Sequence, residues 1–125
     1  MINVTAFAFT AYPVTDLPRA RAFYENLLGL KPAATWGDAT QGWIEYELGE
    51  GCLAISNFSA DKWKPAPGGP SLALEVADFD AAVGALRAAG IAFVVEPMDS
   101  GVCRMGIVAD PDGNSLIIHH RKPKV

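Results

Sequence analysis

Apolar residues follow two periods along the chain, and the switch between them happens twice. Residues Phe7 to Tyr12 read as a strand, and after Asp16 the apolar positions Leu17, Ala20, Tyr24, Leu27 and Leu28 recur at helical spacing until Gly29. The period then falls to two, which predicts strands over 32–36, 43–48 and 52–58. The second half repeats the scheme. A strand over 72–76 precedes Asp78, a helical face follows at Phe79, Ala82, Val83 and Leu86, Gly90 stops it, and strands are predicted over 92–96, 102–109 and 115–120. The matching starts, Val14-Thr15-Asp16-Leu17 and Val76-Ala77-Asp78-Phe79, lie 62 positions apart.

Each half is therefore strand, helix, then three strands. Tight turns, Gly49-Glu50-Gly51 and Asp110-Pro111-Asp112-Gly113-Asn114, join the last two strands of each half. Between the halves, residues 59–70 carry Pro65, Pro67, Gly68, Gly69 and Pro70 and continue neither a strand nor a helix. The reading is a single domain, with a first module over about 1–58, a linker over 59–70 and a second module over about 71–125. One helix covers only one face of a four-stranded sheet, so the other face must meet something else. Two such sheets placed side by side, helices outside, predict an α+β fold: a cup-shaped, partly open eight-stranded barrel with a ligand site on its inner wall.

Composition narrows the function classes. With 125 residues, 50% of them hydrophobic and 19% charged, and a mean hydropathy of +0.18, the chain can build its core without a disulfide or structural metal. A net charge of −4 without a basic stripe argues against nucleic acid as a partner. No Lys or Arg precedes Arg19 and no apolar run approaches the ~20 residues of a membrane span, so no membrane partner and a cytoplasmic location are expected. Cys52 and Cys103, 51 positions apart with no Cys or His cluster, fit small buried hydrophobes.

Alternation assigns the strand residues to faces. If Phe9 and Ile117 point into the cup, so do Phe7, Ala11, Cys52, Ala54, Ser56, Ser71, Ala73, Glu75, Ser115 and His119, while the complementary Leu53, Ile55, Leu72, Leu74, Leu116 and Ile118 pack under the helices. The cup set is small or weakly polar, which leaves room for a ligand or for a filling partner surface. Ile44, Tyr46 and Leu48 are placed under the first helix, which turns Trp43 and Glu45 to the cup unless the hairpin register reverses them. Trp43 then offers a stacking surface, and Glu45 is an acceptor, a base or a solvated rim carboxylate. Cys103, Met105 and Ile107 supply a soft lining that core packing explains equally well. Trp36 and Trp63 suit an opening or an interface, and Trp63 could cover the cup. His119 and His120 face opposite sides of their strand, so they cannot chelate one ion together.

The stretch Tyr12-Pro13-Val14-Thr15-Asp16-Leu17-Pro18-Arg19-Ala20-Arg21-Ala22-Phe23-Tyr24-Glu25-Asn26-Leu27-Leu28-Gly29-Leu30, with Asp110-Pro111-Asp112-Gly113-Asn114 near the end, resembles the vicinal oxygen chelate superfamily of glyoxalase I, bleomycin resistance proteins and extradiol dioxygenases. The resemblance spans nearly the whole chain and implies paired βαβββ modules and a homodimer whose paired modules build the cups. It also implies four metal-ligand positions, which fall on Phe9, Ala54, Ser71 and Ile117 in this chain. Phe, Ala and Ile offer no donor, so no metal cofactor is expected; a displaced divalent site would draw on Glu75, His119 and Cys103.

Two functions are expected to compete. One is a metal-independent protein that binds a small aromatic or apolar molecule through Phe9, Trp43, Glu45, Ser71, Glu75, Cys103, Met105 and His119. The other is a glyoxalase-like lyase or dioxygenase-like enzyme working through a displaced metal or a Glu75/His119 acid–base pair.

Overall fold

A computed structural model describes residues 1–123. Strand β1 (Thr10–Pro13) leads to helix α1 (Leu17–Arg21), which continues as a π-helical stretch, Ala22–Leu27, before β2 (Pro32–Gly37), β3 (Gly42–Leu48) and β4 (Gly51–Ser56). The order then repeats as β5 (Leu72–Glu75), α2 (Phe79–Ala88), β6 (Phe93–Asp99), β7 (Cys103–Ala109) and β8 (Ser115–Arg121). The strands form two sheets, β1-β4-β3-β2 and β5-β8-β7-β6. In each, the first strand pairs parallel with the fourth and the remaining pairs are antiparallel. The sheets do not close into a barrel, and the fold is an α+β cup that stays partly open.

Both helices start as the cap residues dictate. Asp16 Oδ1 accepts from the Arg19 amide and Asp78 Oδ1 from the Ala81 amide, each at 3.0 Å. Gly29 and Gly90 follow the helices with φ of 74° and 79°, the left-handed turn that a residue without Cβ adopts freely. In the first module the Leu28 amide donates to the Phe23 carbonyl, five residues back, at 3.0 Å. That wider turn lets the consecutive rings of Phe23 and Tyr24 both reach the core, which regular 3.6-residue spacing does not favour.

Leu17, Ala20, Tyr24, Ile44, Tyr46, Leu53 and Ile55 of the first module share one buried cluster with Phe79, Leu86, Val108, Leu116 and Ile118 of the second. The polar joints between modules converge on the turn before β8. Tyr12 Oη donates to the Ser115 carbonyl at 2.6 Å and accepts from the Leu72 amide at 2.8 Å. Asn114 Nδ2 donates to the Pro13 carbonyl at 2.9 Å, and Thr15 and Arg19 both donate to the Asp112 carboxylate.

The first strand departs from its predicted span of Phe7 to Tyr12. Pairing begins at Thr10 opposite Leu53, and Phe7 lies fully exposed outside the sheet. Two residues before Leu53, β4 gives way to the Gly49–Glu50 turn, so the chain before Thr10 has almost no ladder left to join.

Candidate functional site

The sheet registers place the sequence-predicted cup residues on common faces. Trp36, Trp43 and Ser56 lie opposite one another across β2, β3 and β4, and Ala34, Glu45, Ala54 and Ala11 form the next row. Both rows face away from the buried Ile44, Tyr46, Leu53 and Ile55. Trp43 and Glu45 thus occupy the open face, which settles the hairpin register. In the second module Glu75, His119 and Met105 share a row, as do Ala73, Ile117 and Ile107, and Cys103 lies opposite Arg121.

An open cavity of about 440 Å³ on the first module is lined by Trp36, Trp43, Glu45 and Phe58. Trp36 is 54% exposed and Phe58 46% exposed, although both are large and apolar. The Trp43 and Phe58 walls are fixed locally. Trp43 Nε1 donates to Glu45 Oε2 at 2.9 Å, and the Phe9 ring meets the Trp43 ring edge-on, 5.6 Å between centroids. The buried Ser56 Oγ accepts from the Phe58 amide at 3.1 Å and donates to the Gly42 carbonyl at 2.8 Å. Gly37 turns at φ 97°, and a Cβ there would stand 3.0 Å from the Phe58 ring, so its missing side chain is what lets that ring close in. Phe58 and the part played by Gly37 were not singled out from the sequence. Phe58 closes the predicted strand 52–58 two residues after the cup-facing Ser56, whereas the observed β4 ends at Ser56.

On the second module Glu75 Oε1 lies 2.5 Å from His119 Nδ1, and Glu75 Oε2 accepts from the Arg121 amide at 2.7 Å. The Arg121 amide, with His119 beside it, holds the Glu75 carboxyl below the usual carboxylate range. His120 Nδ1 lies 2.7 Å from the Val76 carbonyl and 4.0 Å from Glu75 Oε2. Ser71 Oγ bonds Ser115 Oγ at 2.8 Å, and Cys103 Sγ turns to Ser100 Oγ at 3.4 Å. Met105 stands half-buried beside His119. Trp63 is half-buried in the linker and lines none of these surfaces.

The positions that the resemblance gives to metal ligands do not fit a metal. Phe9 packs on Trp43, Ala54 and Ile117 carry only carbon, and the Ser71 hydroxyl is engaged by Ser115. The displaced set does not fit one either, because Glu75 spends its oxygens on His119 and Arg121 while Cys103 looks to Ser100.

A larger cavity of about 830 Å³ lies elsewhere, on the helix-facing side, where Leu27, Leu28, Leu30 and Leu48 approach Leu72 and Leu74 beside the departing N-terminal segment. These leucines pack against the core cluster, and the lining also takes in Phe9 and Glu75 of the sequence-predicted site together with Thr10, Glu50 and Cys52.

The model of the Glyoxalase/Bleomycin resistance protein/Dioxygenase superfamily matches residues 6–118. The chain belongs to that superfamily. Solved structures similar to it include TnmS3, an antibiotic binding protein from Streptomyces sp. CB03234, at TM-score 0.75 and 22% identity over 98% of this chain and 100% of that one. A lactoylglutathione lyase from Agrobacterium tumefaciens follows at TM-score 0.72 and 20% identity, covering 94% of each chain. A superfamily member from Nocardioides has TM-score 0.69 and 21% identity over 99% of this chain and 92% of that one. At such identities the likeness is one of fold, and the superfamily fold carries binding proteins and lyases alike. No curated protein is similar enough in sequence to match. No helix among the described residues is long and apolar enough to cross a membrane.

Proposed function

We propose that the protein binds a small planar aromatic molecule on the open face of its first module, without a metal and without turnover. The carrying observation is the group of Trp36, Trp43 and Phe58 around one open cavity, with Trp43 held by Glu45 and Phe9 and the Phe58 backbone held by Ser56. Exposed aromatic surface held rigid loses little entropy when a ring stacks on it. The antibiotic-binding neighbour supports the same reading. A second copy of the chain completes the cup, since Phe9, Trp36, Val95 and Met98 leave apolar surface uncovered on the open faces. The cytoplasm is the expected compartment.

Titration with acridine, at a pH where it is uncharged, tests the proposal through quenching of tryptophan fluorescence. Saturable quenching, weakened about tenfold in Trp43→Ala, is expected; no quenching by acridine or by other planar tricycles sinks the reading. Light scattering is expected to give twice the chain mass.

The Glu75–His119 pair favours a second reading, an acid–base enzyme. Glu75 orients the imidazole through Nδ1 and leaves Nε2 to exchange a proton. Turnover of a lactoylglutathione-type substrate that is lost in both Glu75→Ala and His119→Ala would establish it.

A further inference from the structure

Glu45 is the one carboxylate in the lining of the aromatic cavity, and it is half-buried. One of its oxygens accepts from Trp43 Nε1, a neutral donor. Glu45 takes part in none of the ion pairs among the described residues. A half-buried carboxylate met only by a neutral donor gains a stronger partner when a cation arrives beside it. A neighbour makes space for that arrival. Ala34 stands opposite Glu45 on β2, so on that side the side chain beside the carboxylate ends at Cβ. The faces of Trp36, Trp43 and Phe58, each a negative π-surface, complete the surroundings.

The field of this wall is felt by other groups. Burial, then the charges of Glu45 and Glu47, pushes the Cys52 thiol up from its ordinary value. The chain as a whole carries a net charge of −4, which draws cations from solution.

Resting on the aromatic-ligand reading above, we propose that the ligand is a cation: a planar aromatic ring system bearing a positive nitrogen, stacked on Trp36 and Trp43 with the charge against Glu45. Carboxylate and ring faces then act together. The rings bind the plane of the ligand whatever its charge, and Glu45 selects the charged form. Selection of this kind also disfavours anionic aromatics, which would bring a second negative charge to the same wall.

Three probes of one shape test the assignment: N-methylacridinium, uncharged acridine and acridine-9-carboxylate, titrated into the full chain by calorimetry at one pH. N-methylacridinium is expected to bind about tenfold tighter than acridine, and acridine-9-carboxylate weakest. Glu45→Gln, which keeps an oxygen for Trp43 Nε1, is expected to abolish the preference while leaving acridine affinity within about twofold. Glu47→Gln, on the same face but outside the cavity, is expected to keep it. Equal affinity for the three probes, or a preference that survives Glu45→Gln, overturns the charge assignment and leaves the aromatic-ligand reading standing. Failure of all three to bind overturns both.

Discussion

The Tyr24 hydroxyl, on the π-helical stretch after α1, donates a 2.7 Å hydrogen bond to the Asp110 carboxylate, 86 positions away in the other module. Both residues are buried, and Asp110 also accepts from the Asp112 and Asn114 amides and from Asn114 Nδ2. Burial, reinforced by the Asp110 charge, pushes the Tyr24 hydroxyl far above its ordinary range, so it remains a donor across the whole accessible pH scale. Tyr24→Phe removes one of the four donors to a buried carboxylate. A loss of about 1–2 kcal/mol is expected in urea unfolding with an unchanged m-value, and an unchanged midpoint would show that the bond contributes nothing net.

Tyr12 stitches the modules with two bonds from one oxygen, to the Ser115 carbonyl and from the Leu72 amide. Tyr12→Phe leaves both backbone groups without that partner at a part-buried site. The expected cost is about 1–3 kcal/mol, together with faster exchange of the Leu72 amide proton. Unaltered protection at Leu72 would contradict this.

The pH dependence of the Glu75–His119 pair has a definite sign. The folded-state value of Glu75 lies below its unfolded value, so its contribution is complete above the ordinary carboxylate range and disappears as pH falls through the lowered folded-state value. Glu75 is 57% exposed, so the contribution is small, on the order of 0.5 kcal/mol. The stability gap between the native chain and Glu75→Gln is therefore expected near neutral pH and closes in acid. A gap that persists once the carboxylate is protonated would assign the effect to packing instead.

Gly37→Ala probes how the aromatic wall is built. A Cβ at that position collides with the Gln41 carbonyl oxygen, stands 2.7 Å from Gly42 Cα, and must also tolerate φ of 97°. A loss of about 2 kcal/mol or more is expected, with weaker acridine binding because the Phe58 ring packs against the same turn. Gly49→Ala, also at positive φ (60°) but with open space around it, carries the backbone strain alone and serves as the control. Equal effects in the two variants would remove the steric argument.

The duplicated module was legible because its signals are local. Asp16 and Asp78 cap their helices through bonds three residues ahead, and Gly29 and Gly90 end them, so each needed only its own neighbourhood. Alternation put Glu75 and His119 on one face and left Trp43 and Glu45 to the hairpin register; pairing sets Glu75 opposite His119 and puts Trp43 and Glu45 on the face away from the buried Ile44 and Tyr46. What local pattern could not reach was pairing that stops early. Phe7 and Phe9 look like strand residues, yet the partner strand turns away just beyond them. The π-helical stretch was equally hidden, because Leu17, Ala20, Tyr24 and Leu27 satisfy an ordinary helix and the burial of Phe23 beside Tyr24 is a tertiary contact that this spacing does not encode. Phe58 ended the predicted strand 52–58 on the same alternation as Cys52, Ala54 and Ser56, but β4 stops at Ser56, and its place beside Trp36 and Trp43 depends on the turn beyond.

The hydrogen bonds that cross between the halves run from Tyr12, Pro13, Thr15, Arg19 and Tyr24 to Leu72 and the segment Asp110–Ser115. None of them uses the Pro- and Gly-rich stretch that joins the halves in sequence. Severing the backbone between Gly68 and Gly69 therefore removes a tether and no bond across the seam, and turns the protein into a two-component complex. The dissociation constant of those fragments would express, as a concentration, how strongly each half recognises its own copy.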